Sequence, residues 1–206
     1  MNTVRPWLSL LGRKMFPLRL PIGLAITIAA AAWISPMPFF GSQHRAVHAL
    51  ALLVIFAGLA LRAWGAGSAG FHTRSGRIEA PRLATAGPFA YVRNPIYLGS
   101  MLLGIGMSLL IGDPLAFVFT AIAFAILYFG IVPAEEEFLQ NHFGAEYLRY
   151  REVVPRFIPN LRPWQGRTKE TFQWKAVRGE LGILMVLVAI YAGLLLKDHL
   201  AKIRIA

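Results

Sequence analysis

The sequence contains no cysteine and carries few charged residues. Without cysteine, its 206 residues can form no disulfide, no thiolate metal site and no cysteine nucleophile. Only 15% of the residues are charged, whereas 56% are hydrophobic. This balance lies outside that of ordinary soluble domains and indicates a membrane protein.

Acidic residues are scarce as well, with 10 against 21 lysines and arginines and a net charge of +11. Such an excess can indicate nucleic-acid binding, but no recognition motif accompanies it. The basic residues alternate with long apolar runs, as membrane topology requires, so we expect no nucleic-acid partner. His44 and His48 have the i, i+4 spacing of metal ligands, but no carboxylate or third histidine lies near them in the sequence. We interpret them as interfacial residues and expect no metal site.

Five apolar stretches approach the roughly 20 residues that a membrane-spanning helix needs. They cover residues 20–38, 46–64, 96–111, 114–133 and 181–196. The first is long enough to span and no small-residue cleavage site follows it, so we interpret it as a membrane helix and not as a signal peptide. The predicted fold is an all-α integral membrane bundle of about five helices, in one domain over residues 1–206.

The third and fourth spans are separated only by Gly112, Asp113 and Pro114, which predicts an antiparallel hairpin. Gly99, Gly104 and Gly106 are small residues of the kind that allow helices to pack closely in bilayers. The glycine-rich stretch 65–70 shows no phosphate-loop pattern and is interpreted as a linker.

The basic residues predict the orientation of the chain. Four precede the first span, five lie from Arg62 to Arg93, and eight lie from Arg149 to Arg178. These groups fall on one side of the membrane if the amino terminus is cytoplasmic. The tail, with Lys197, Lys202 and Arg204, falls on the other side. The last apolar segment is therefore left open between a spanning, a re-entrant and a surface helix.

Polar motifs stand at the membrane ends of the third and fourth spans. Residues 87–99 lead into the third span, and Glu135, Glu136 and Glu137 leave the fourth, followed by residues 143–150 and 154–159. Helical arms of about 25–30 Å, at 1.5 Å per residue, bring these segments together in a hairpin. Carboxylates at a helix exit oppose the helix dipole, which is a functional hint for the first two glutamates. Glu137 is expected to be solvated.

These motifs resemble those of the isoprenylcysteine carboxyl methyltransferase and phospholipid methyltransferase superfamily. The resemblance covers residues 87–159 and consists of Arg-Asn-Pro-x-Tyr-x-Gly, Glu-Glu-x-x-Leu, Phe-Gly-x-x-Tyr-x-x-Tyr and Val-Pro-Arg-x-x-Pro in that order. Carboxyl methyltransferases usually carry histidine at the position of Asn94, and asparagine there is more similar to the phospholipid branch and many bacterial members. The resemblance makes residues 81–160 the catalytic core, between an amino-terminal two-helix region, 1–64, and a carboxyl-terminal extension, 161–206.

The resemblance implies S-adenosylmethionine as the cofactor and a lipid or prenylated acceptor, in a bacterial inner membrane. The implied cofactor-binding residues are Tyr91, Arg93, Asn94, Pro95, Tyr97, Leu98, Gly99, Glu135, Glu136, Tyr147 and Tyr150, and the implied catalytic residues are Arg93, Arg156 and Glu136. Their chemistry suits a sulfonium zwitterion: carboxylates for the ribose or ammonium, arginine for the carboxylate, tyrosine faces for the sulfonium, and a glycine for close approach.

Other interpretations remain open at this point. Tyr147 and Tyr150 also fit an interfacial aromatic belt, and Arg82, Arg149, Arg151 and Arg162 fit topology signals or headgroup contacts. The acceptor is either a carboxylate, which needs no base, or an amine, which must first lose a proton. An NADPH-dependent reductase of sterol or enone type and a non-catalytic lipid-binding protein are the alternative functions.

Overall fold

The computed structural model describes residues 25, 29, 45–70, 81–167 and 171–205, and this part of the chain is helical without strands. Helix α1 covers Arg45–Ala69, and a short 3-10 turn covers Gly87–Ala90. The later helices are α2, Pro95–Ile111; α3, Pro114–Ile126; α4, Val132–Phe143; α5, Ala145–Val153; and α6, Trp174–Ile205. The predicted first span, 20–38, and His44 lie outside the described residues apart from Ala25 and Ala29.

Three helical stretches are long and apolar enough to cross a membrane: Arg45–Ala69, Pro114–Phe143 and Trp174–Lys197. Helix α2 is apolar but shorter, with 17 residues. The predicted spans from the second onward therefore correspond to helices, and the all-α membrane fold class is confirmed.

Helices α1 and α2 pack against each other through glycine. A Cβ atom placed on Gly99 would lie 2.8 Å from the carbonyl oxygen of Gly58, and one on Gly106 would lie 3.0 Å from that of Ala51. Because neither backbone can move away, only glycine permits this separation of the two helices. The predicted packing role of these glycines in the third span is confirmed.

The predicted hairpin between α2 and α3 is also confirmed. Gly112 ends α2 in the left-handed conformation, with φ 71°, and its N–H donates to the carbonyl of Ser108. Asp113 begins α3 by accepting a hydrogen bond from the N–H of Leu115 at 2.8 Å, and Pro114 occupies the first helical position. Glycine after one helix and aspartate before the next therefore close the turn in two residues.

The helix of the fourth predicted span is longer than its apolar stretch, which ends near residue 133. A one-turn π-helix, Leu127–Ile131, joins α3 to α4, so the helix continues to Phe143. Glu135, Glu136 and Glu137 thus lie inside a continuous helix and not at its exit. The argument from an unfavourable helix dipole is wrong, since the dipole acts in the first and last turns.

The interpretation of the stretch 65–70 as a linker is also wrong. Residues 65–69 form the last turns of α1, and Gly65 and Gly67 are buried there. A Cβ atom on Gly67 would collide with the ring of Phe172, and the N–H of Gln173 donates to the carbonyl of Gly67 at 2.8 Å. The small residues therefore allow close packing of the segment that leads into α6.

Helix α6 runs along α1 in the opposite direction. The residues before its first turn contact Gly67 at the end of α1, while Leu194, near its other end, belongs to one apolar cluster with Ala51 and Leu110. Over Trp174–Lys197 this unbroken helix is long and apolar enough to cross a membrane.

Candidate functional site

Glu136 lies between two arginines that come from different parts of the chain. Its Oε1 is 3.0 Å from Nη1 of Arg93, in the loop before α2. Arg156, after α5, binds it in bidentate fashion, with Nε 3.1 Å from Oε1 and Nη2 2.5 Å from Oε2. The carboxylate is 9% exposed, Arg93 12% and Arg156 33%. The predicted meeting of the two motif segments is thereby confirmed at these residues.

Backbone hydrogen bonds hold the two segments side by side. The N–H of Arg93 donates to the carbonyl of Pro155, that of Asn160 to Tyr91, and that of Trp164 to Ala90, at 2.8–2.9 Å. The side-chain amide of Asn94 adds a 3.3 Å hydrogen bond to the carbonyl of Arg156. Residues 90–94 and 155–164 therefore form one rigid unit around Glu136.

The two tyrosines of α5 lie in the core beneath this unit. Tyr147 and Tyr150 are only 1% and 2% exposed, and they pack against Leu83 and Val154. The Tyr150 hydroxyl donates to the carbonyl of Phe89 at 2.7 Å, and that of Tyr147 lies 3.5 Å from Nη1 of Arg93. An exposed aromatic belt is therefore the wrong interpretation of this pair.

The environment fixes the protonation states in this region. Burial raises the pKa of the Tyr147 phenol, and the charge of Glu136 raises it further. Burial and the neighbouring Tyr147 likewise raise the pKa of Tyr150. Burial lowers the pKa of Arg156, but its hydrogen bond to Glu136 and the charge of that residue more than offset this, so the net shift is upward. The phenols stay neutral and Arg156 stays cationic over the whole physiological range.

Asn94 and Pro95 begin α2 as the sequence predicts, since Asn94 is the N-cap residue and Pro95 occupies the first turn. Both are buried, while Tyr97 and Leu98, further along the first turn, are half-buried. Gly99 is buried in the contact between α1 and α2, where a Cβ atom would lie 2.5 Å from Cγ of Arg62. Its implied contact with the cofactor stays a prediction.

Glu137, which follows Glu136, differs in exposure from the prediction made from the sequence. Glu135 and Glu137 are both half-buried, and Oε2 of Glu137 is fully buried without a hydrogen-bond partner in the described part of the chain. Glu137 was expected to be solvated, and this expectation is wrong. The α4 helix turns one of its carboxylate oxygens inward.

An aromatic cluster borders the ion pairs on the side of α3. The ring of Phe157 stacks on Tyr128 at 4.9 Å with an interplanar angle of 26°, and it meets the edge of Phe124 at 5.5 Å. The guanidinium of Arg156 lies 5.8 Å from the centroid of the Tyr128 ring. Phe129 on the next position is 65% exposed. The ion pairs of Glu136 therefore lie next to an apolar aromatic surface.

Sequence reasoning missed a second buried ion pair, between Arg62 of α1 and Glu180 of α6, with Nε 2.8 Å from Oε2. Both residues lie at the edges of predicted spans, where Arg62 was counted only as a topology signal. An arginine and a glutamate lie at matching depths of two apolar helices. This arrangement is the sequence signal that could have predicted the ion pair.

The sequence is similar to a known protein family and to several characterised proteins. The phospholipid methyltransferase family model matches residues 46–146. Protein-S-isoprenylcysteine O-methyltransferase B of Arabidopsis thaliana is 30% identical over 146 residues, which cover 66% of this chain and 72% of that protein. Protein-S-isoprenylcysteine O-methyltransferase of Rattus norvegicus is 29% identical over 118 residues, covering 55% and 42%.

The cobalt-zinc-cadmium resistance protein CzcN of Cupriavidus metallidurans is 29% identical over 89 residues, covering 43% of this chain and 41% of that protein. The chain thus spans less than half the length of the rat and Cupriavidus relatives. It spans most of the Arabidopsis relative, and the family match includes the loop with Arg93, α2, α3 and the part of α4 with Glu136. The chain belongs to the isoprenylcysteine carboxyl methyltransferase and phospholipid methyltransferase superfamily of membrane methyltransferases.

Proposed function

We propose that this protein transfers the methyl group of S-adenosylmethionine to a lipophilic acceptor that carries a carboxylate. The observation that carries the proposal is the position of Glu136, held by Arg93 and Arg156 beside the aromatic cluster of Phe124, Tyr128 and Phe157. The reductase alternative has no support in the family membership.

The residues around Glu136 suit the mixed charge of this cofactor. The Nε–H of Arg93 is buried and donates no hydrogen bond among the described residues, so it is available to the carboxylate of the methionine moiety. The inward carboxylate oxygen of Glu137 is available to the ammonium. We assign Asn94, Tyr97 and Glu135 to the same cofactor-binding site, and Tyr147 and Tyr150 to positioning from beneath. When bound, the cofactor supplies an electrophilic methyl group.

The acceptor class follows from the state of Glu136. Both of its oxygens are held by guanidinium groups, so it is a poor candidate for the base that an amine acceptor requires. A carboxylate acceptor needs no base and only has to be oriented. Arg156, which is one-third exposed, is the cation available for that task.

The reaction balances without a further reactant. Bound S-adenosylmethionine would supply the methyl group, so that the acceptor carboxylate would become a methyl ester and the cofactor a neutral thioether. Because the displacement is in line, the contribution of the protein is alignment of the two partners. Arg156 orients the acceptor, Arg93 holds the cofactor, and Glu136 fixes both arginines.

The site lies where the apolar surface of α3 gives way to the charged residues of α4. An acceptor can therefore enter sideways from the bilayer along Phe129, with its head reaching Arg156. With the amino terminus in the cytoplasm of a bacterial cell, as the basic residues favour, this end of the bundle faces the cytosolic cofactor.

The test uses the purified chain in nanodiscs with methyl-tritiated S-adenosylmethionine. An S-isoprenylcysteine derivative and phosphatidylethanolamine are offered as separate acceptors. A methyl ester releases its label as volatile methanol in alkali, whereas an N-methyl group is stable. We expect alkali-labile label from the first acceptor.

Two further results would contradict the proposal in different ways. Alkali-stable label in phosphatidylethanolamine would show an amine acceptor, for which Glu137 is then the candidate base. Calorimetry with S-adenosylmethionine and with NADPH, in the absence of acceptor, tests the cofactor itself. Binding of neither ligand would support a non-catalytic protein, and binding of NADPH alone would support a reductase.

A further inference from the structure

The loop 157–167 presents two large apolar side chains to the outside of the protein. Ile158 is 81% exposed and Leu161 is 100% exposed. Single exposed apolar residues are ordinary on protein surfaces and need no explanation. Here, however, both stand in the same short loop, next to the ion pairs of the site.

The loop is fixed to the protein on both sides of these residues, so the exposure is imposed by the fold. The N–H of Asn160 donates to the carbonyl of Tyr91, and its side-chain amide donates to that of Val153 at 2.8 Å. The N–H of Trp164 donates to Ala90, and the Trp164 ring lies 5.2 Å from that of Tyr150. Leu161 stands between these two anchored positions and cannot fold back without breaking them.

The depth of the loop is inferred from Phe157, whose ring stacks on Tyr128 of Pro114–Phe143, a stretch long and apolar enough to cross a membrane. Tyr128 lies two turns before Glu136, so Phe157 marks the boundary between the apolar and the charged parts of that stretch. Ile158 follows directly. The exposed apolar residues are therefore placed near the level of the lipid headgroups and not far out in the aqueous phase.

The charge of the loop identifies the surface that it fits. From Val153 to Lys169 the sequence has no acidic residue but contains Arg156, Arg162 and Arg167. Arg162 and Arg167 are exposed, whereas Arg156 is engaged by Glu136. Apolar side chains flanked by cations are the composition of segments that bind an anionic membrane surface.

We propose that the loop 157–167 binds the anionic leaflet of the membrane, with Ile158 and Leu161 inserted among the lipids and Arg162 and Arg167 at the headgroups. Arg156 directly precedes this loop, so the contact connects the lipid composition of the leaflet to the position of an arginine of the site.

The absence of cysteine makes a direct test possible, because a single introduced cysteine carries the only label. A nitroxide is attached to L161C and, as a matched control in the same loop, to Q165C, which is also exposed. Power-saturation measurements compare collisions with oxygen and with a water-soluble nickel chelate. The vesicles contain phosphatidylcholine alone or with phosphatidylglycerol.

We expect the label at 161 to favour oxygen over the nickel chelate and to be deeper in the anionic vesicles, while the label at 165 stays accessible to the chelate. The variant R162Q in the L161C background is expected to reduce the difference between the two lipid mixtures. Equal, water-like accessibility at both positions would overturn the proposal, and a depth independent of phosphatidylglycerol would overturn the assignment to an anionic surface. Wild-type thermal stability of each labelled variant shows that folding is not the cause, and no step depends on methyl transfer.

Discussion

Arg62 and Glu180 form a bidentate ion pair that joins α1 to α6 inside the helix bundle. Nε of Arg62 lies 2.8 Å from Oε2 and Nη2 lies 3.3 Å from Oε1, with both side chains 8% exposed. The remaining nitrogen of Arg62 donates to the hydroxyl of Ser100 at 2.5 Å and to the carbonyl of Ile96 at 3.3 Å. One side chain therefore connects three helices and fixes the first turns of α2, where Asn94 and Tyr97 stand.

The first prediction concerns this pair. The substitution Glu180→Gln leaves Arg62 as a buried charge without its counterion, and breaking such a pair typically costs about 3–5 kcal/mol. We expect a clear fall in the thermal unfolding midpoint of the detergent-solubilised protein. Glu146→Gln, at an exposed position in the first turn of α5, is the control and should lower the midpoint far less, since it removes only a helix-dipole interaction of about 0.3–1 kcal/mol. Equal midpoints for the two variants would show that the pair adds nothing to stability.

The second prediction concerns Glu136. The substitution Glu136→Gln keeps the shape of the side chain but removes the charge that holds Arg93 and Arg156. The two guanidinium groups then repel each other and separate, so we expect the affinity for S-adenosylmethionine to fall by at least about tenfold, equivalent to 1.4 kcal/mol.

Calorimetry measures that affinity, with Glu152→Gln as a control at an exposed position of α5. The thermal midpoint is measured on the same samples to confirm that both variants are folded. A folded Glu136→Gln variant with the wild-type dissociation constant would contradict the central position given to this carboxylate.

The hairpin of α2 and α3 could be predicted because its determinants are local. Gly112, Asp113 and Pro114 each specify the backbone at their own position, and the apolar run on either side is long enough to identify a helix. The meeting of Arg93 with Glu136 follows from that hairpin once the two arms have similar lengths. The sequence was therefore sufficient to predict the structure where one short turn determines how two helices are arranged.

The parts that were missed depend on distant partners. The helix continues past the apolar run through the π-turn Leu127–Ile131, and Glu136 beyond it is paired by Arg156, which lies 20 residues further along the chain. Hydropathy records neither feature. Gly67 was interpreted as part of a linker because the ring of Phe172, more than a hundred residues away, cannot be inferred from the local composition. In both regions, tertiary packing determined the structure and overrode the preference of the local sequence.

The third prediction tests the assignment of Gly99 to helix packing. Its new Cβ in Gly99→Ala would lie 2.8 Å from the carbonyl oxygen of Gly58, which cannot move without shifting α1. Overpacking of this kind typically costs about 1–3 kcal/mol, and we expect a lower thermal midpoint. Gly193→Ala on α6 is the control, because no other segment in the described part of the chain comes within 4 Å of its Cβ position. It should be neutral or stabilising by up to about 1 kcal/mol. Loss of cofactor affinity in Gly99→Ala at an unchanged midpoint would instead favour direct contact with the cofactor.

The fourth prediction separates a supporting role of the α5 tyrosines from a direct one. Tyr150→Phe removes the 2.7 Å hydrogen bond to the carbonyl of Phe89 and leaves that acceptor without its donor, which costs about 1–3 kcal/mol. Tyr147→Phe removes only a 3.5 Å contact with Arg93 and should cost less. Thermal midpoints are compared with dissociation constants for S-adenosylmethionine measured well below each midpoint.

If the two rings act only by supporting residues 89–93, stability falls in the order of the two hydrogen-bond lengths, while affinity at low temperature changes little. If Tyr147→Phe weakens binding more than Tyr150→Phe while unfolding at a higher temperature, its hydroxyl belongs to the binding surface. The positioning role assigned to Tyr147 would then be wrong, because a purely structural contribution cannot reverse the order of the two variants.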